Sequence, residues 1–228
     1  MIGVICAAGE GKRLGLGCKA LVNVNGTPLI SYALNNMRLT GIKEVIIIQD
    51  EKRLIEKKLG KEAYKIKLKY VIQKQKWGIA HAVSLTEKLT HGNDIMLMFA
   101  DIYFKGTLLK MKNYFEGSEY DSLVAGQTCL DEDKIKKSYG ITEDMKFVEK
   151  PIDCVDLQPM LGLGIYFFKN KVYDAIRATP INKVTGEIEI TDVLNYMITS
   201  FYPVEGKYFN VNTKEDLKHL KNEVKLNR

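Results

Sequence analysis

Cysteine, proline and tryptophan are scarce in this chain of 228 residues, which contains four Cys, five Pro and one Trp. The cysteines, at positions 6, 18, 129 and 154, show neither CxxC nor Cys/His spacing. We therefore expect neither a zinc site nor a disulfide framework. Such cysteine usage is typical of a reducing compartment, and we predict a cytoplasmic protein.

Long hydrophobic runs are also missing. No stretch approaches the roughly 20 apolar residues that a membrane span needs, and the longest runs, VIII and IMLMFA, have the length of strands. The opening MIGVICAAGEG has no basic lead followed by an apolar core and a cleavage site, so we expect no signal peptide. We predict that the protein does not bind membranes.

A basic block with interleaved aromatic residues, the pattern of many nucleic-acid-binding surfaces, does not occur either. Lys and Arg total 34 against 28 for Asp and Glu, a net charge of +6. Much of the lysine alternates with apolar residues in 51–69 and 217–228, which is typical of solvated helix and strand faces. We expect no nucleic-acid partner, and the mild positive charge favours small anionic substrates.

Strand and helix patterns alternate through the first half of the chain. We predict strands over 2–8, 44–50, 66–73 and 94–101, and helices over 28–41, 51–62 and 78–90. These strands are continuous apolar runs, which are typical of a parallel sheet buried on both faces. The alternation predicts an α/β fold with a doubly wound, mostly parallel mixed sheet and right-handed crossovers.

The pattern is less regular after position 101. Here we predict strands over 121–128, 146–151 and 161–168, a last strand within 204–212, helices over 106–117, 170–179, 186–200 and 213–225, and a loop over 131–141. The sequence shows no linker, repeat or low-complexity segment. We therefore predict a single domain over 1–228.

A glycine-rich loop, AAGEGKRLGLGCKALV, follows the first predicted strand. Gly9 and Gly11 allow backbone N–H groups to approach an anion closely, while Arg13 and Lys19 supply positive charge for phosphate oxygens. The loop is not a Walker A motif, because no Gly-Lys-Ser/Thr follows the spacer. Leu14 stands where a dinucleotide fingerprint has its third glycine. A triphosphate cradle therefore fits best, with a structural glycine turn as the alternative.

Three loops at strand ends are expected to meet. In open α/β sheets ligands bind at the carboxyl ends of the strands, and the glycine-rich loop and the loops after YVIQ and MFAD all have that position. Asp101 ends a wholly apolar strand, where an unpaired charge is costly. A Mg²⁺ ion, which prefers oxygen ligands shared with substrate phosphates, would explain this carboxylate, and an N-cap role is the alternative.

Eight segments occur in the order found in one enzyme family. The glycine-rich loop is followed by YVIQKQKWGIAHAV, MFADIYF, YGI, FVEKP, GLGIYFF, GEIEITD and NVNTKEDL, over about 215 residues. In this order the chain resembles sugar-1-phosphate nucleotidylyltransferases, such as glucose-1-phosphate thymidylyl- and uridylyltransferases. The resemblance implies a Rossmann-like nucleotidyltransferase fold, with a nucleotide-binding half at 1–110 and an acceptor-substrate half at 111–228.

The resemblance also implies which residues bind the nucleotide. They are Ala7, Ala8, Gly9, Glu10, Gly11, Lys12, Arg13, Lys19, Gln73, Gly78, Ile79, Ala100 and Asp101. Gln73 would hydrogen-bond the edge of the base, and its amide suits a pyrimidine or a purine. Relatives place Mg²⁺ on the aspartate that matches Asp101. Asn210 and Asn212, two apart on a predicted strand and thus on one face, are both candidates for the second ligand.

The acceptor would be bound by residues of the second half. The resemblance assigns Tyr139, Gly140, Glu149, Lys150, Tyr166 and Glu187 to it. Lys150 would bind the acceptor phosphate and Glu149 its hydroxyl groups, while Glu187 could equally cap a helix. The implied catalytic residues are Arg13, Lys19, Asp101 and Lys150.

The implied reaction joins a nucleoside triphosphate to a phosphorylated acceptor, most simply a sugar 1-phosphate, and releases pyrophosphate. The nucleotide implied is a pyrimidine nucleotide, whether CTP, UTP or dTTP. The spacer of five residues between Arg13 and Lys19 is shorter than in typical thymidylyltransferases and more similar to that of cytidylyl- and uridylyltransferases, which disfavours dTTP among these. Because the chain also resembles phosphocholine cytidylyltransferases, a cytidylyltransferase for a non-sugar phosphate remains an alternative. A catalytically inactive nucleotide-sugar-binding subunit is another, since both candidates for the second metal ligand are asparagines. Oligomeric state stays open, and a homodimer is compatible with the sequence.

Overall fold

The computed structural model describes residues 1–9, 11, 15 and 17–226, and for residue 226 it describes the backbone alone. The strands in these residues are β1 (Ile2–Cys6), β2 (Asn23–Val24), β3 (Thr27–Pro28), β4 (Glu44–Gln49), β5 (Glu62–Ala63), β6 (Ile66–Ile72), β7 (Ile95–Phe99), β8 (Ile102–Gly106), β9 (Ser122–Thr128), β10 (Tyr139–Ile141), β11 (Phe147–Glu149), β12 (Met160–Phe168), β13 (Thr199–Pro203) and β14 (Gly206–Asn210). The helices are α1 (Ile30–Leu39), α2 (Leu54–Leu59), α3 (Ile79–Ser84), α4 (Glu87–Thr90), α5 (Leu109–Glu116), α6 (Glu132–Lys136), α7 (Val172–Ala178), α8 (Ile190–Leu194) and α9 (Lys214–Leu226), with a 3₁₀ turn at Lys19–Leu21.

Within the described part of the chain, eight strands form the main sheet in the order β13-β9-β12-β7-β1-β4-β6-β5. The strands β7, β1, β4 and β6 run parallel to one another. The strand β12 is antiparallel to both of its neighbours, and β5 is antiparallel to β6. The sheet is therefore mixed and mostly parallel, which confirms the predicted fold class.

Helices cover both faces of this sheet. The helix α1 packs Ile30, Ala33, Leu34 and Met37 into the core cluster of one face, where they meet inward-facing side chains of β1, β4 and β7. The helices α3, α7 and α8 belong to the cluster on the other face. Because β1, β4 and β7 are buried almost throughout, their sequences are continuous apolar runs. The expected doubly wound arrangement is thus confirmed.

The first helix ends where a glycine permits it. Gly41 has a φ of 83°. Its N–H donates to the carbonyl of Arg38 at 3.0 Å, and that of Ile42 donates to Met37, also at 3.0 Å. This pair of hydrogen bonds is a Schellman motif, which needs a left-handed residue at the helix end.

Two predictions for the second half were wrong. The segment 131–141 is not a loop, because Asp131 accepts a hydrogen bond from the N–H of Lys134 and starts α6, and β10 then pairs with β11. The helix predicted over 186–200 is limited to α8, and the residues after it form β13, which pairs in parallel with β9. Pairing with a sheet edge is a tertiary event that local patterns do not report. The strand β8, which pairs with β14, was not predicted either.

No helix in the described residues is both long and apolar enough to span a bilayer.

Candidate active site

The carboxyl ends of β1, β6 and β7 open into one cleft of about 280 Å³. This arrangement confirms that the three loops expected to converge do so. Residues from these loops and from neighbouring elements form the wall, namely Cys6, Ala7, Ala8, Gly9, Lys19, Ala20, Gln73, Lys76, Gly78, Ile79, Ala82, Phe99, Ala100, Asp101 and Glu187. All the described nucleotide-binding candidates except Gly11 are among them.

A single ammonium group connects two predicted metal ligands. Nζ of Lys19 lies 2.6 Å from Oδ2 of Asp101 and donates a hydrogen bond of 2.7 Å to Oδ1 of Asn212. The side chains of Lys19 and Asp101 are largely enclosed, with exposed fractions of 14% and 26%. An ion pair this shielded from water is stronger than one on an open surface, because screening is weaker. The pair marks an electrostatic centre inside the cleft.

Backbone pairing brings Asn212 to this centre. The antiparallel ladder of β8 and β14 is extended by a hydrogen bond of 3.0 Å from the N–H of Val211 to the carbonyl of Asp101. The turn after it is closed by Asp216, whose Oδ2 accepts from the N–H groups of Asn212 and Thr213. Oγ1 of Thr213 in turn accepts from the N–H of Asp216, which completes a capping box at the start of α9.

The expectation that Asn210 and Asn212 share one face of a strand is wrong. The strand β14 ends at Asn210, and Asn212 lies beyond it in the turn. Asn210 lines a second cavity, whereas Asn212 bonds Lys19 beside Asp101. Of the two asparagines, Asn212 therefore lies at the ion pair of Lys19 and Asp101, and Asn210 lies at the second cavity.

The residues around Asp101 fit a magnesium ion. Oδ1 of Asp101 is buried and has no hydrogen-bond partner among the described residues. A buried carboxylate oxygen without a partner is costly, and a cation bound there would compensate it. In the described part of the chain, no group of three or more His, Cys, Asp or Glu could hold a metal ion by itself. A Mg²⁺ ion held here would therefore need further ligands from water and substrate phosphates, which it commonly takes.

Gln73, which also lines the cleft, is almost fully buried. Its Nε2 lies 3.2 Å from the carbonyl oxygen of Gly78 and 3.3 Å from Nδ1 of His81. Burial lowers the pKa of His81 and outweighs the opposing effect of a hydrogen bond with the backbone of Gln75. The ring of Trp77 packs on that of His81 at 5.1 Å and is otherwise exposed. His81 had no predicted role, and its contact with Gln73 could not be inferred from the helical pattern around it.

Gly78 allows this part of the wall to form. Its φ is 98°, and a Cβ at this position would lie 2.5 Å from the carbonyl oxygen of Ile188. Gly9 lines the cleft, and a Cβ there would meet no atom within 4 Å. Gly11 has a φ of 59°, and a Cβ added to it would lie 3.1 Å from Cβ of Lys19. The predicted roles of Glu10, Lys12 and Arg13 lie outside the described residues.

A second, more polar cavity of about 150 Å³ adjoins the cleft and shares Ile79 and Phe99 with it. Its other lining residues come mainly from β10, β12, β14 and the start of α8, and they are Ile102, Lys137, Ser138, Tyr139, Glu149, Gly162, Gly164, Tyr166, Glu189, Ile190, Thr191, Tyr208 and Asn210. Three residues predicted to bind the acceptor, Tyr139, Glu149 and Tyr166, lie here together.

Glu149 is held at this cavity by two partners. Its Oε2 accepts a hydrogen bond of 2.8 Å from Oγ1 of Thr191, and its Oε1 lies 3.4 Å from Nζ of Lys150. Burial raises the pKa of Glu149, and the charge of Glu189 raises it further, against the lowering effects of Thr191 and Lys150. Lys150 has a φ of 45° and its side chain is half exposed. It lines neither cavity and reaches the site through Glu149.

Two other predicted acceptor residues are placed differently. A Cβ on Gly140 would point to the side chain of Leu157, so this glycine does not line the second cavity. Glu187 lines the first cleft instead, and Glu189, for which no role was predicted, lines the second. The alternating acidic residues of GEIEI were visible in the sequence, but nothing local indicated that the second of them faces an acceptor cavity.

Comparisons with known proteins agree with this geometry. The model of the family described as "Nucleotidyl transferase" matches residues 2–213. The low-salt glycan biosynthesis nucleotidyltransferase Agl11 of Haloferax volcanii is 28% identical over 233 residues, which cover 95% of this chain and 64% of Agl11. A glucose-1-phosphate thymidylyltransferase of Streptomyces griseus is 26% identical, with 87% of this chain and 57% of that protein covered. This chain therefore spans less than two thirds of the length of these two relatives.

A UTP–glucose-1-phosphate uridylyltransferase of Mycoplasma pneumoniae is more similar in length. It is 25% identical, and the match covers 90% of this chain and 84% of the relative. Among solved structures, a UDP-glucose pyrophosphorylase complexed with UDP-glucose superposes with a TM-score of 0.86 at 22% identity, covering 100% of this chain and 99% of the other. A UTP-bound UGPase from Acinetobacter baumannii gives 0.85 at 19% identity, with 100% and 94% covered. These structures share the fold of this chain.

Proposed function

Because the chain belongs to the nucleotidyl transferase family, we propose that it transfers a nucleotidyl group from a nucleoside triphosphate to the phosphate of a sugar 1-phosphate and releases pyrophosphate. The observation that carries the proposal is the contact of Lys19 with Asp101 and Asn212 in a cleft that adjoins a second, polar cavity. The cleft suits the triphosphate and the second cavity suits the acceptor. The α-phosphorus of the triphosphate would lie next to the contact of Lys19 with Asp101 and Asn212.

In this reaction an oxygen of the acceptor phosphate attacks the α-phosphorus in line with the leaving group. A new P–O bond forms, the bond between the α-phosphorus and the bridging oxygen breaks, and the electron pair leaves with pyrophosphate. A phosphate oxygen is already anionic near neutral pH, so no general base is needed. Catalysis requires alignment of the two substrates and neutralisation of their repulsion.

The chain supplies both requirements. Lys19 places one positive charge in the cleft. Asp101 and Asn212 present the oxygens that would hold Mg²⁺, which supplies further neutralisation of the triphosphate when bound. We propose that Gln73, which lines the cleft, recognises the edge of the base. Arg13, which is outside the described residues, and Lys150, which contacts Glu149, are proposed to bind phosphate groups.

For the substrates, we propose a pyrimidine nucleoside triphosphate and a hexose 1-phosphate. The support comes from relatives named as thymidylyl- and uridylyltransferases of glucose 1-phosphate, and from one named for glycan biosynthesis. A product of this kind would be a sugar nucleotide for polysaccharide synthesis. The free state of all four cysteines supports the proposal of a cytoplasmic enzyme.

The test is release of pyrophosphate from each of CTP, UTP, dTTP and ATP with hexose 1-phosphates or phosphocholine, with Mg²⁺ or with EDTA. We expect Mg²⁺-dependent turnover with a pyrimidine nucleotide and a hexose 1-phosphate. Lys19→Met and Asp101→Asn should each lose about a hundredfold or more in kcat, the scale of a lost electrostatic stabiliser. The matched control is Lys112→Met, which removes a lysine that pairs with Glu116 on α5 and lines neither the cleft nor the second cavity, and it should leave turnover unchanged.

Two results would overturn the proposal. Full turnover by Lys19→Met or Asp101→Asn would remove the charged centre from the mechanism. Nucleotide binding without pyrophosphate release under any of these conditions would identify a non-catalytic nucleotide-binding subunit.

A further inference from the structure

The side-chain amide of Gln73 has a fixed orientation in the wall of the first cleft. Its Nε2 lies 3.2 Å from the carbonyl oxygen of Gly78 and 3.3 Å from Nδ1 of His81. A carbonyl oxygen only accepts hydrogen bonds, so the amide atom that faces Gly78 is the nitrogen and not the oxygen. The backbone N–H of Gln73 donates to the carbonyl of Gln49 at 2.9 Å and anchors the residue. The two ends of the amide are therefore distinguishable.

His81 makes this contact in its neutral form. Because an amide nitrogen only donates, Nδ1 of His81 accepts the hydrogen bond from Gln73, and the ring proton is then on Nε2. Burial lowers the pKa of His81, which favours the neutral ring. His81 lies on α3, its ring packs on that of Trp77, and it does not line the cleft. An effect of His81 on a ligand in the cleft would therefore act through Gln73.

Both hydrogens of the amide nitrogen are thus engaged by acceptors of the protein. The remaining polar atom is Oε1, to which no group in the described part of the chain donates. Oε1 is not one of the buried polar atoms that lack a partner, so it is accessible, and Gln73 lines the cleft. Gln73 consequently presents an acceptor, and no donor, to a ligand in the cleft.

Pyrimidine bases differ at the position that such an acceptor contacts. Uracil and thymine carry a hydrogen on the ring nitrogen N3, in the middle of the polar edge, whereas N3 of cytosine has a lone pair and no hydrogen. An N3–H can donate to Oε1 of Gln73, but two acceptors repel each other. The 4-amino group of cytosine could donate to Oε1, but N3 beside it would then find no donor on Gln73. A site with one unpaired acceptor discriminates against a ligand without the matching donor.

We propose that His81 is a positioning residue that, together with Gly78, holds the amide oxygen of Gln73 toward the base and so selects uracil or thymine over cytosine. The inference rests on the proposed function and names the base class of its nucleotide. Without an acceptor at position 81, one N–H of the Gln73 amide would be free to donate to N3 of cytosine. The hydrogen bond with His81 is therefore what excludes cytosine from this contact.

The experiment measures equilibrium binding of UTP and of CTP by titration calorimetry, with Mg²⁺ and without a phosphorylated acceptor. The proteins are the wild type, His81→Phe, which keeps a planar ring but has no acceptor, and His81→Asn, whose Oδ1 can replace Nδ1 as the acceptor. We expect the wild type to bind UTP more tightly than CTP. The ratio of the two affinities should fall by about fivefold in His81→Phe, the scale of one neutral hydrogen bond, and His81→Asn should retain most of it.

Further variants test whether His81 acts through Gln73. Gln73→Ala removes the amide, so the addition of His81→Phe to this variant should not change the ratio of UTP to CTP affinity any further. His219→Phe, the same substitution at an exposed position of α9, is the matched control and should leave the ratio unchanged. The KM for the hexose 1-phosphate, measured with UTP, should be the same in His81→Phe and the wild type, whereas a general disturbance of the fold would raise it.

The contrary results are distinct. Tighter binding of CTP than of UTP by the wild type would overturn the base class without the use of any variant. An unchanged ratio in His81→Phe, equal losses in His81→Phe and His81→Asn, a full effect of His81→Phe in the absence of the Gln73 amide, or a raised KM for the hexose 1-phosphate would overturn the positioning role. Failure of the wild type to release pyrophosphate with every acceptor would overturn the proposed function, while the binding ratio, which needs no transfer, would still decide the role of His81.

Discussion

Oδ1 of Asn212 accepts a hydrogen bond of 2.7 Å from Nζ of Lys19, the same nitrogen that lies 2.6 Å from Oδ2 of Asp101. One ammonium group therefore neutralises the single carboxylate of the proposed magnesium site. The amide of Asn212 adds an oxygen but no charge. A site with this balance should bind free Mg²⁺ weakly, and the triphosphate would supply most of the attraction.

Asn212→Asp should therefore strengthen metal binding to the nucleotide-free protein. The added carboxylate lies beside Lys19 and Asp101, and one more negative charge should improve the affinity for Mn²⁺, used as a probe for Mg²⁺, by about tenfold or more. Titration calorimetry or the electron paramagnetic resonance signal of free Mn²⁺ measures this change. Asn210→Asp is the matched control, because Asn210 lines the second cavity. An equal gain in both variants, or no gain in Asn212→Asp, would argue against Asn212 as a metal ligand.

The acid limb of acceptor use should respond to Thr191. Glu149 can accept hydrogen bonds fully only when ionised, and its pKa is raised by burial and by Glu189 and lowered by Thr191 and Lys150. Removal of the Thr191 hydroxyl in Thr191→Val should raise this pKa further, so acceptor binding should be lost at a higher pH than in the wild type. The measurement is kcat/KM for the acceptor between about pH 5 and 8.

The pH profile of kcat/KM must be measured for the wild type and for Thr191→Val with the same acceptor, because the acceptor phosphate itself titrates near pH 6. Any shift between the wild type and Thr191→Val then belongs to the protein. Superimposable profiles would show that the ionisation of Glu149 does not control acceptor binding. A shift of the limb to lower pH would contradict the sign of the proposed effect.

Gly78→Ala should damage both stability and nucleotide binding. The φ of 98° and the 2.5 Å approach of the new Cβ to the carbonyl oxygen of Ile188 require the backbone to move. We expect the free energy of unfolding to fall by about 2–4 kcal/mol and the KM for the nucleotide to rise, because Gly78 also holds Gln73. Gly92→Ala is the control, with a φ of 76° and no atom within 4 Å of the new Cβ. Urea unfolding of both variants checks the difference, and equal losses would show that the left-handed φ alone is responsible.

Much of the fold and part of the site could be predicted from local patterns. The strands β1, β4 and β7 were predictable because burial on both faces leaves a continuous apolar run in the sequence. The order of eight short segments correctly indicated the nucleotidyl transferase family. The meeting of three loops followed from a general property of parallel sheets, whose carboxyl ends lie at one edge. By contrast, β13 escaped prediction because its partner β9 is distant in the sequence.

The sequence by itself determined that the chain builds a doubly wound sheet with a glycine-rich, cationic loop behind its first strand, because hydrophobic period and residue chemistry are local properties. Only the tertiary structure decided that Asn212, and not Asn210, shares the ammonium group of Lys19 with Asp101. The ladder between β8 and β14 ends at Asn210 and the following turn carries Asn212 to Lys19. It also decided that Glu189 faces the second cavity while Glu187 faces the first. These choices depend on strand register and on backbone bonds between distant segments, which no local spacing specifies.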